Sequence, residues 1–144
     1  MMETVWDVLL DKAEIVVKKQ RLSVQDLKAK KDKAYAQKRK LTDLVSEYHD
    51  RLSAIQSRRH SLAEASSYRH FIVQIQDLLI RSEEECLSFD NILETAKSEL
   101  VHSENERLKF ESLVQREKNA ITQKKRARDT RNLEENVTLQ YNWK

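Results

Sequence analysis

The sequence predicts an all-α protein, a long two-helix antiparallel coiled-coil hairpin, from three observations. Its 144 residues include no glycine and no proline. Tight turns with positive φ favour glycine, and sheets need such turns, so β folds are disfavoured. Apolar residues recur every seven positions in both halves of the chain, and basic and acidic residues form separate blocks. Together these patterns indicate very few, very long helices.

The first helical arm is predicted from a series of residues that steps by seven. Only Gln20 interrupts the apolar character of this series, which comprises Ala13, Gln20, Leu27, Ala34, Leu41, Tyr48, Ile55 and Leu62. A second stripe lies three to four residues further on and comprises Val16, Val24, Leu44, Val45 and Leu52. Side chains at these spacings share one helix face, so we expect this face to pack against another helix.

The second arm repeats the pattern. Its main series comprises Ile72, Leu79, Cys86, Leu93, Leu100, Arg107, Val114 and Ile121. Its partner stripe comprises Ile75, Ser82, Phe89, Ala96, Ser103 and Phe110. A strict seven-residue repeat of this length predicts left-handed supercoiling against a second helix.

The connection between the arms is weakly marked. We expect one hairpin domain over residues 1–144, with a first arm at about 2–60, a turn at about 57–67 and a second arm at about 64–140. Ser61 followed by Glu64 matches a capping box, which would start the second arm. The two apolar stripes differ in phase by only about one residue, so a single continuous helix is compatible with the apolar pattern alone.

The order of charges favours the hairpin over a parallel dimer of continuous helices. Residues 18–40 carry ten lysines and arginines, whereas residues 83–117 carry ten aspartates and glutamates. A fold near residue 64 places position i opposite about position 128 minus i, which brings the basic block against the acidic block. A parallel dimer would set the basic block against its own copy, which like-charge repulsion disfavours. We therefore expect a monomeric hairpin whose longer second arm extends past the first.

The residue types that carry catalysis do not form a recognisable constellation. The histidines show no i,i+4 pair and no cysteine at ligand spacing, so no metal site is predicted. Cys86 stands on the apolar stripe beside three glutamates, which favours a small buried side chain over a nucleophile. Two helices also offer no enclosed pocket for a substrate. We therefore expect a protein that is not an enzyme and takes no cofactor.

The compartment is inferred from what the composition does not require. One cysteine cannot form an internal disulfide, so nothing calls for an oxidising compartment. The first residues lack the basic start and unbroken apolar run of a secretory signal. No segment approaches the roughly 18 consecutive apolar residues of a membrane span. These features favour a cytoplasmic protein without membrane insertion.

Two surfaces are candidates for binding. The basic block at 18–40 contains a single aromatic residue, Tyr35, and faces an acidic arm, so nucleic-acid binding is not expected. Near the turn, the apolar band is wider than one helical seam requires. It comprises Leu41, Leu44, Val45, Tyr48, Tyr68, Phe71, Ile72, Ile75, Leu78 and Leu79. Such a band indicates a docking surface, a locally thicker core or a dimer contact.

Within this band the sequence resembles a known family. Tyr68-x-x-Phe71-Ile72-x-x-Ile75-x-x-x-Leu79 resembles the Tyr-x-x-Phe-Ile-x-x-Leu-x-x-x-Ile element of the flagellar export protein FliJ family, which belongs with the injectisome YscO-type stalks. Arg107-Leu108-Lys109 and Leu113-x-x-Arg116 resemble the next stretch of that family. Asp129-x-Arg131-x-Leu133-Glu134-Glu135 is similar to its Asp-x-Lys-x-x-Asp-Glu segment. On the first arm, the family's glutamine, leucine and tyrosine positions are occupied by Gln37, Leu41 and Tyr48.

The resemblance implies a two-helix antiparallel coiled coil similar to the central stalk, the γ subunit, of rotary ATPases. Family members insert their paired termini into a hexameric export ATPase and promote its assembly. They contact the cytoplasmic domain of a transmembrane export-gate protein and help to escort export chaperones. The implied function is a non-enzymatic stalk and coupling subunit of a type III flagellar protein export apparatus, in the cytoplasm and peripherally at the inner membrane. The alternative is a generic coiled-coil scaffold or tether protein, monomeric or dimeric.

Two sets of contact residues follow from this interpretation. By position in the family, the export-gate contact comprises Gln37, Leu41, Leu44, Tyr48, Phe71, Ile75, Leu78 and Ser82. Leu44 departs from the family, which commonly has an aromatic residue at that position. Ser82 also departs from it, because it stands at a position where the family has a polar side chain with a ring. A basic segment near the C-terminus is expected to meet acidic groups lining the ATPase pore. This ATPase contact comprises Lys124, Lys125, Arg126, Arg128 and Arg131.

Overall fold

The computed structural model describes residues 4–57 and 62–142, and this part of the chain forms two α-helices. Helix α1 spans Val5–Ser57 and helix α2 spans Leu62–Asn142. The helices pack against each other in antiparallel order, since Tyr48 near the end of α1 contacts Phe71 near the start of α2. The predicted all-α hairpin of two helices is therefore confirmed. No described residue has a positive φ, which agrees with a chain without glycine.

The start of α1 is fixed by a reciprocal cap. The Thr4 backbone N–H donates to Asp7 Oδ2 at 3.1 Å, and the Asp7 backbone N–H donates to Thr4 Oγ1 at 3.3 Å. The Thr4 hydroxyl also donates to Asp7 Oδ2 at 3.0 Å. This is a capping box with aspartate in place of the usual glutamate. The hydrogen bond from the Thr4 backbone to the carboxylate is the main cause that lowers the pKa of Asp7.

The buried face of α2 follows the predicted seven-residue steps. In the main series, Ile72, Cys86, Leu93 and Val114 are buried. In the partner stripe, Ile75, Ser82 and Ser103 are buried, while Phe89, Ala96 and Phe110 are half-buried. Ile121, which the series included, is 57% exposed. The two series together form the seam of α2, and the seam ends before residue 118 because every later described side chain is exposed.

The first series of α1 also lies against α2 from Ala13 to Ile55. Its second stripe was placed wrongly at one residue, because Val17 is 2% exposed whereas Val16 is 45% exposed. The observed stripe steps by seven through Val17, Val24, Lys31, Lys38, Val45 and Leu52. Two lysines occupy this stripe, so hydrophobicity alone did not reveal its phase. Leu62, which the first series included, begins α2 and is 89% exposed.

The chain divides into two compact units. One comprises Met1–Lys19 and Leu100–Lys144, and its buried side chains are Val17, Ser103 and Val114. In this unit the Trp6 and Phe110 rings lie 6.5 Å apart between centroids. The other unit comprises Gln20–Glu99, and its buried side chains are Val24, Ala34, Ile72, Ile75, Ser82, Cys86 and Leu93.

The pairing register differs from the expected one. A fold near residue 64 would place residue 93 opposite Tyr35, whereas Tyr35 contacts Asp90. The same fold would place residue 80 opposite Tyr48, whereas Tyr48 contacts Phe71. The cause is that α2 already begins at Leu62, so residues 62–67 of the expected turn are helical. Residues 58–61, including the Ser61 position of the expected capping box, lie outside the described residues. Without glycine or proline, the sequence carries no strong signal for this boundary.

Candidate functional site

A cluster of three aromatic rings lies where the band near the turn was predicted to widen. The Tyr48 ring lies 4.9 Å from the Phe71 ring and 5.8 Å from the Tyr68 ring, measured between centroids. The Arg51 guanidinium lies 5.2 Å from the centroid of the Tyr48 ring and also pairs with Glu47 at 2.6 Å. Tyr48 and Tyr68 are half-buried, whereas Phe71 remains 43% exposed. The cluster thus thickens the contact between the helices and leaves one aromatic edge exposed to solvent.

A surface groove lies beside this cluster in the same unit. Its volume is about 390 Å³, and it is lined by Gln37, Lys40, Leu41, Leu78, Arg81, Ser82 and Glu85. Four of these residues belong to the predicted export-gate contact: Gln37, Leu41, Leu78 and Ser82. Leu78 is 49% exposed, so it presents an apolar side chain directly to solvent. The charged rim contains both signs, which suits a docking surface that also orients its partner.

The structure separates the eight predicted export-gate residues by exposure. Phe71, Leu78 and Gln37 are exposed, and Leu41, Leu44 and Tyr48 are half-buried. The buried members are Ile75, at 3% exposed, and Ser82, at 7%. Ile75 therefore supports the surface from the seam, and Ser82 reaches only the floor of the groove. In contrast to the exposed members, these two side chains offer almost no area to a docked protein.

A polar network crosses the seam at Tyr35, a feature that the sequence pattern did not identify. The Tyr35 hydroxyl donates to Asp90 Oδ2 at 2.6 Å, and Lys31 Nζ lies 3.1 Å from Asp90 Oδ1. Lys31 and Lys38 each place Nζ 5.7 Å from the centroid of the Tyr35 ring. The hydrogen bond from Tyr35, together with that from Lys31, lowers the pKa of Asp90. The same hydrogen bond to Asp90 is the main cause that raises the pKa of Tyr35.

This network favours one pairing register of the two helices. A carboxylate that accepts a hydrogen bond from a hydroxyl and pairs with an ammonium group of the other helix has both partners only when the two helices meet in one register. The sequence signal was available, because lysines seven residues apart, Lys31 and Lys38, flank an aromatic residue. Hydrophobic periodicity could not reveal this network, since the two stripe positions that flank Tyr35, Lys31 and Lys38, are basic.

The predicted ATPase contact lies on the exposed part of α2. Every described side chain from Lys118 to Asn142 is exposed. Lys124, Arg128 and Arg131 follow one another at steps of four and three and so share one helix face. Lys125 and Arg126 lie around the helix from that face, which spreads positive charge over most of its circumference. Exposed apolar residues follow, with Leu133 at 65%, Val137 at 60% and Tyr141 at 81%.

The described residues show no cluster of three or more histidine, cysteine, aspartate or glutamate side chains placed to hold a metal ion. Cys86 is a free thiol that is only 2% exposed in the seam. Among the described residues, neither helix has a segment long and apolar enough to cross a bilayer.

The fold and these surfaces define a class of protein, an α-helical hairpin with exposed apolar and basic faces. The family model described as "Flagellar FliJ protein" matches residues 6–144. Since this match covers nearly the whole chain, the protein belongs to the FliJ family, whose members are non-enzymatic components of the flagellar export apparatus. The resemblance inferred from the sequence motifs is confirmed. Neither a curated protein nor a solved structure matches the chain.

Proposed function

We propose that this protein is the stalk and coupling subunit of its flagellar export apparatus. Its paired termini enter a hexameric export ATPase and promote its assembly, and the region around the aromatic cluster contacts the cytoplasmic domain of the export-gate membrane protein. It also takes part in escorting export chaperones, in the cytoplasm and peripherally at the inner membrane. The observation that carries the proposal is the match to the FliJ family over residues 6–144.

The charge of the C-terminal part of α2 supports the ATPase contact. Five basic side chains lie within eight residues, from Lys124 to Arg131, and all are exposed. Exposed lysine and arginine steer and orient a partner at little cost in desolvation, and they exchange contacts readily. An acidic pore lining would suit such a segment. Because this part of the helix contributes nothing buried, its sequence is free to serve a partner.

Charge reversal tests this contact. The triple variant Arg126→Glu, Arg128→Glu and Arg131→Glu is expected to lose most of the stimulation that the wild-type chain gives to the purified export ATPase, measured as phosphate release. The matched control reverses three other exposed basic residues, Lys28, Lys33 and Arg39, with the same change in net charge. The control is expected to keep the stimulation. If both variants stimulated the ATPase as strongly as the wild type does, the C-terminal segment would be excluded as the ATPase contact.

The exposed apolar side chains near the turn support the export-gate contact. Phe71 and Leu78 stand on one side of α2, next to the groove that Leu41 also lines. Tyr48 holds Phe71 in place from α1 through their ring contact. Apolar and aromatic side chains grouped beside a polar rim are typical of a binding surface in which a few hot-spot residues contribute most of the binding free energy.

Removing exposed side chains tests this contact, and because Phe71 also packs on Tyr48, circular dichroism checks that each variant stays folded. The single variants Phe71→Ala and Leu78→Ser are each expected to weaken binding to the purified cytoplasmic domain of the gate protein by about tenfold. Isothermal titration calorimetry measures the affinity, and the ATPase stimulation is expected to stay unchanged. Ile92→Ser, on the same side of α2 but 47% exposed outside the groove, is the control. Loss of binding in Ile92→Ser alone would move the gate contact away from the aromatic cluster.

A further inference from the structure

A second exposed apolar stripe runs along α2 within the unit Gln20–Glu99. Val73, Ile80 and Leu87 step by seven residues and are 55%, 54% and 63% exposed. Each follows a residue of the seam, namely Ile72, Leu79 and Cys86, by one position. One residue turns the helix by about 100°, so the stripe lies on a flank of α2 that does not face α1. We call these three residues the outer stripe.

The outer stripe is distinct from the proposed export-gate surface. Phe71 and Leu78 each precede a seam residue by one position, whereas Val73 and Ile80 each follow one. The two apolar flanks are therefore about 200° apart when measured across the seam. A partner that sits on Leu78 and the groove cannot also cover Ile80. A protein that binds the outer stripe is therefore a different one from the partner that binds the groove.

The spacing of the outer stripe indicates what shape of partner fits. Single exposed apolar residues are ordinary on protein surfaces. Three at seven-residue steps on one helix form a row with one side chain every two turns, about 10.5 Å apart, which the apolar residues of another helix can follow when it supercoils around α2. The seam of this same protein uses the same period for that purpose. The outer stripe thus supplies one of the two seam positions of a coiled-coil heptad, and Asp77, Glu83 and Glu84 lie at or beside the other.

The charges beside the outer stripe indicate the chemistry of the partner. Asp77, Glu83 and Glu84 each lie three or four residues from a member of the stripe, which makes them its neighbours on the helix surface. All three are exposed, and none forms an ion pair within the described residues. Only at its beginning does the stripe have a basic neighbour, Arg69, one turn before Val73. Carboxylates dominate the rest of its border.

A second copy of this chain does not fit this surface through the same stripe. An antiparallel two-fold contact centred on Ile80 would bring Glu83 and Glu84 of each copy near Asp77 of the other. Carboxylates facing carboxylates disfavour that contact. We propose that the outer stripe docks an amphipathic α-helix of another protein, one with apolar residues at heptad spacing and lysine or arginine on both borders. This inference stands on α2 alone and does not depend on the proposed stalk function.

Synthetic helices test the proposal with the full-length chain. The probe is a fluorescein-labelled peptide of about 21 residues, three heptads with leucine at the two seam positions and lysine at the flanking positions. Its counterpart carries glutamate at those flanking positions. Fluorescence anisotropy is expected to show binding of the lysine peptide, no binding of the glutamate peptide, and weaker binding as salt is raised.

Variants locate the bound peptide. Ile80→Ser with Leu87→Ser is expected to weaken binding of the lysine peptide by roughly tenfold or more. Asp77→Asn with Glu83→Gln and Glu84→Gln is expected to weaken it less and to flatten its salt dependence. Leu78→Ser removes one apolar side chain from the opposite flank and is expected to leave binding unchanged. All these positions are exposed, and far-ultraviolet circular dichroism checks that each variant stays helical.

Three results would overturn the proposal. The first is equal affinity for the lysine and glutamate peptides, since the acidic border would then select nothing. The second is loss of binding in Leu78→Ser but not in the Ile80→Ser, Leu87→Ser variant, which would place the peptide in the groove. The third is a wild-type dimer in sedimentation equilibrium that the Ile80→Ser, Leu87→Ser variant abolishes, because a second copy would then occupy the stripe.

Discussion

Two stretches of α2 have similar helix formers but opposite surroundings. From Ile72 to Glu117 the helix has a buried or half-buried side chain at every third or fourth residue. From Lys118 to Asn142 it buries none. The seven-residue series of the first stretch is apolar except at Arg107, and in the second stretch Arg128 stands seven residues after Ile121. The difference arises because α1 begins at Val5 and its Trp6 ring already contacts Phe110, so the described part of α1 does not extend over the later residues of α2.

The same comparison separates stability from binding. Burial of apolar area is the main favourable term in folding, so the paired stretch carries the stability of the hairpin. The exposed stretch contributes little to that free energy and is available for a partner. In a helix this long, helical propensity and salt bridges such as Arg107–Glu111 at 3.1 Å add only a few tenths of a kcal/mol each, roughly. Substitutions placed in matched pairs, one in each stretch, test this division.

Proline is expected to give the largest difference between the stretches. Ala96→Pro interrupts the paired stretch at a half-buried position, removes a backbone hydrogen bond and displaces the seam. It should cost about 3 kcal/mol or more of unfolding free energy, measured by urea titration. Ala127→Pro, in the exposed stretch, should lower the helical signal in circular dichroism without moving the urea midpoint. A fall of the midpoint in Ala127→Pro equal to that in Ala96→Pro would show that both stretches unfold as one.

Truncation of one leucine in each stretch compares the same substitution at a buried and at an exposed position. Leu93 is 3% exposed in the seam, whereas Leu133 is 65% exposed. Leu93→Ala is expected to cost about 2–5 kcal/mol because it removes buried contacts and leaves a cavity. Leu133→Ala is expected to change the unfolding free energy by less than about 0.5 kcal/mol. Thermal and urea unfolding of the two variants decide this, and similar costs would mean that Leu133 is buried by a contact such as self-association.

The cap of α1 probes the border between the two stretches. The first turn of α1 carries Trp6, whose ring contacts Phe110 near the end of the paired stretch. Thr4→Ala removes the hydroxyl that accepts from the Asp7 backbone and should cost about 1 kcal/mol. Thr4→Ser keeps the hydroxyl and serves as the control. Hydrogen exchange of the Phe110 region should rise in Thr4→Ala only; a rise in both variants would assign the effect to the lost methyl group.

The smallest expected effect concerns how the stability of the paired stretch depends on pH. The pKa of Asp90 is lowered below 3.8, so its contribution to stability is present above pH 3.8 and is lost as the pH falls through its folded-state pKa. The pKa of Tyr35 is raised above 10.0, so its contribution is present below pH 10.0 and is lost as the pH rises through its folded-state pKa. Tyr35→Phe should therefore reduce the alkaline decline of the melting temperature and weaken the acidic one. A melting profile identical to that of the wild type would show that the hydroxyl does not couple to folding.

Much of this architecture could be predicted from residue types alone. The absence of glycine and proline, together with apolar steps of seven, predicted two helices, and the series from Ile72 to Val114 is buried or half-buried as expected. The separation of charge favoured the antiparallel hairpin over a parallel dimer. Motifs such as Tyr68-x-x-Phe71-Ile72 predicted the family. These features are local or periodic, so they are written directly in the order of residues.

The register and the exposure of single side chains were decided by tertiary packing. The pairing of Tyr35 with Asp90 depends on where α2 begins, and no strong breaker residue marks that boundary. Ile75 and Phe71 stand four residues apart in one predicted contact set, yet one is 3% and the other 43% exposed. Their difference arises because a coiled-coil seam covers only a narrow angle of each helix. Composition and period determined that two helices pair, while the angle and register at which they meet decided which residues remain available to a partner.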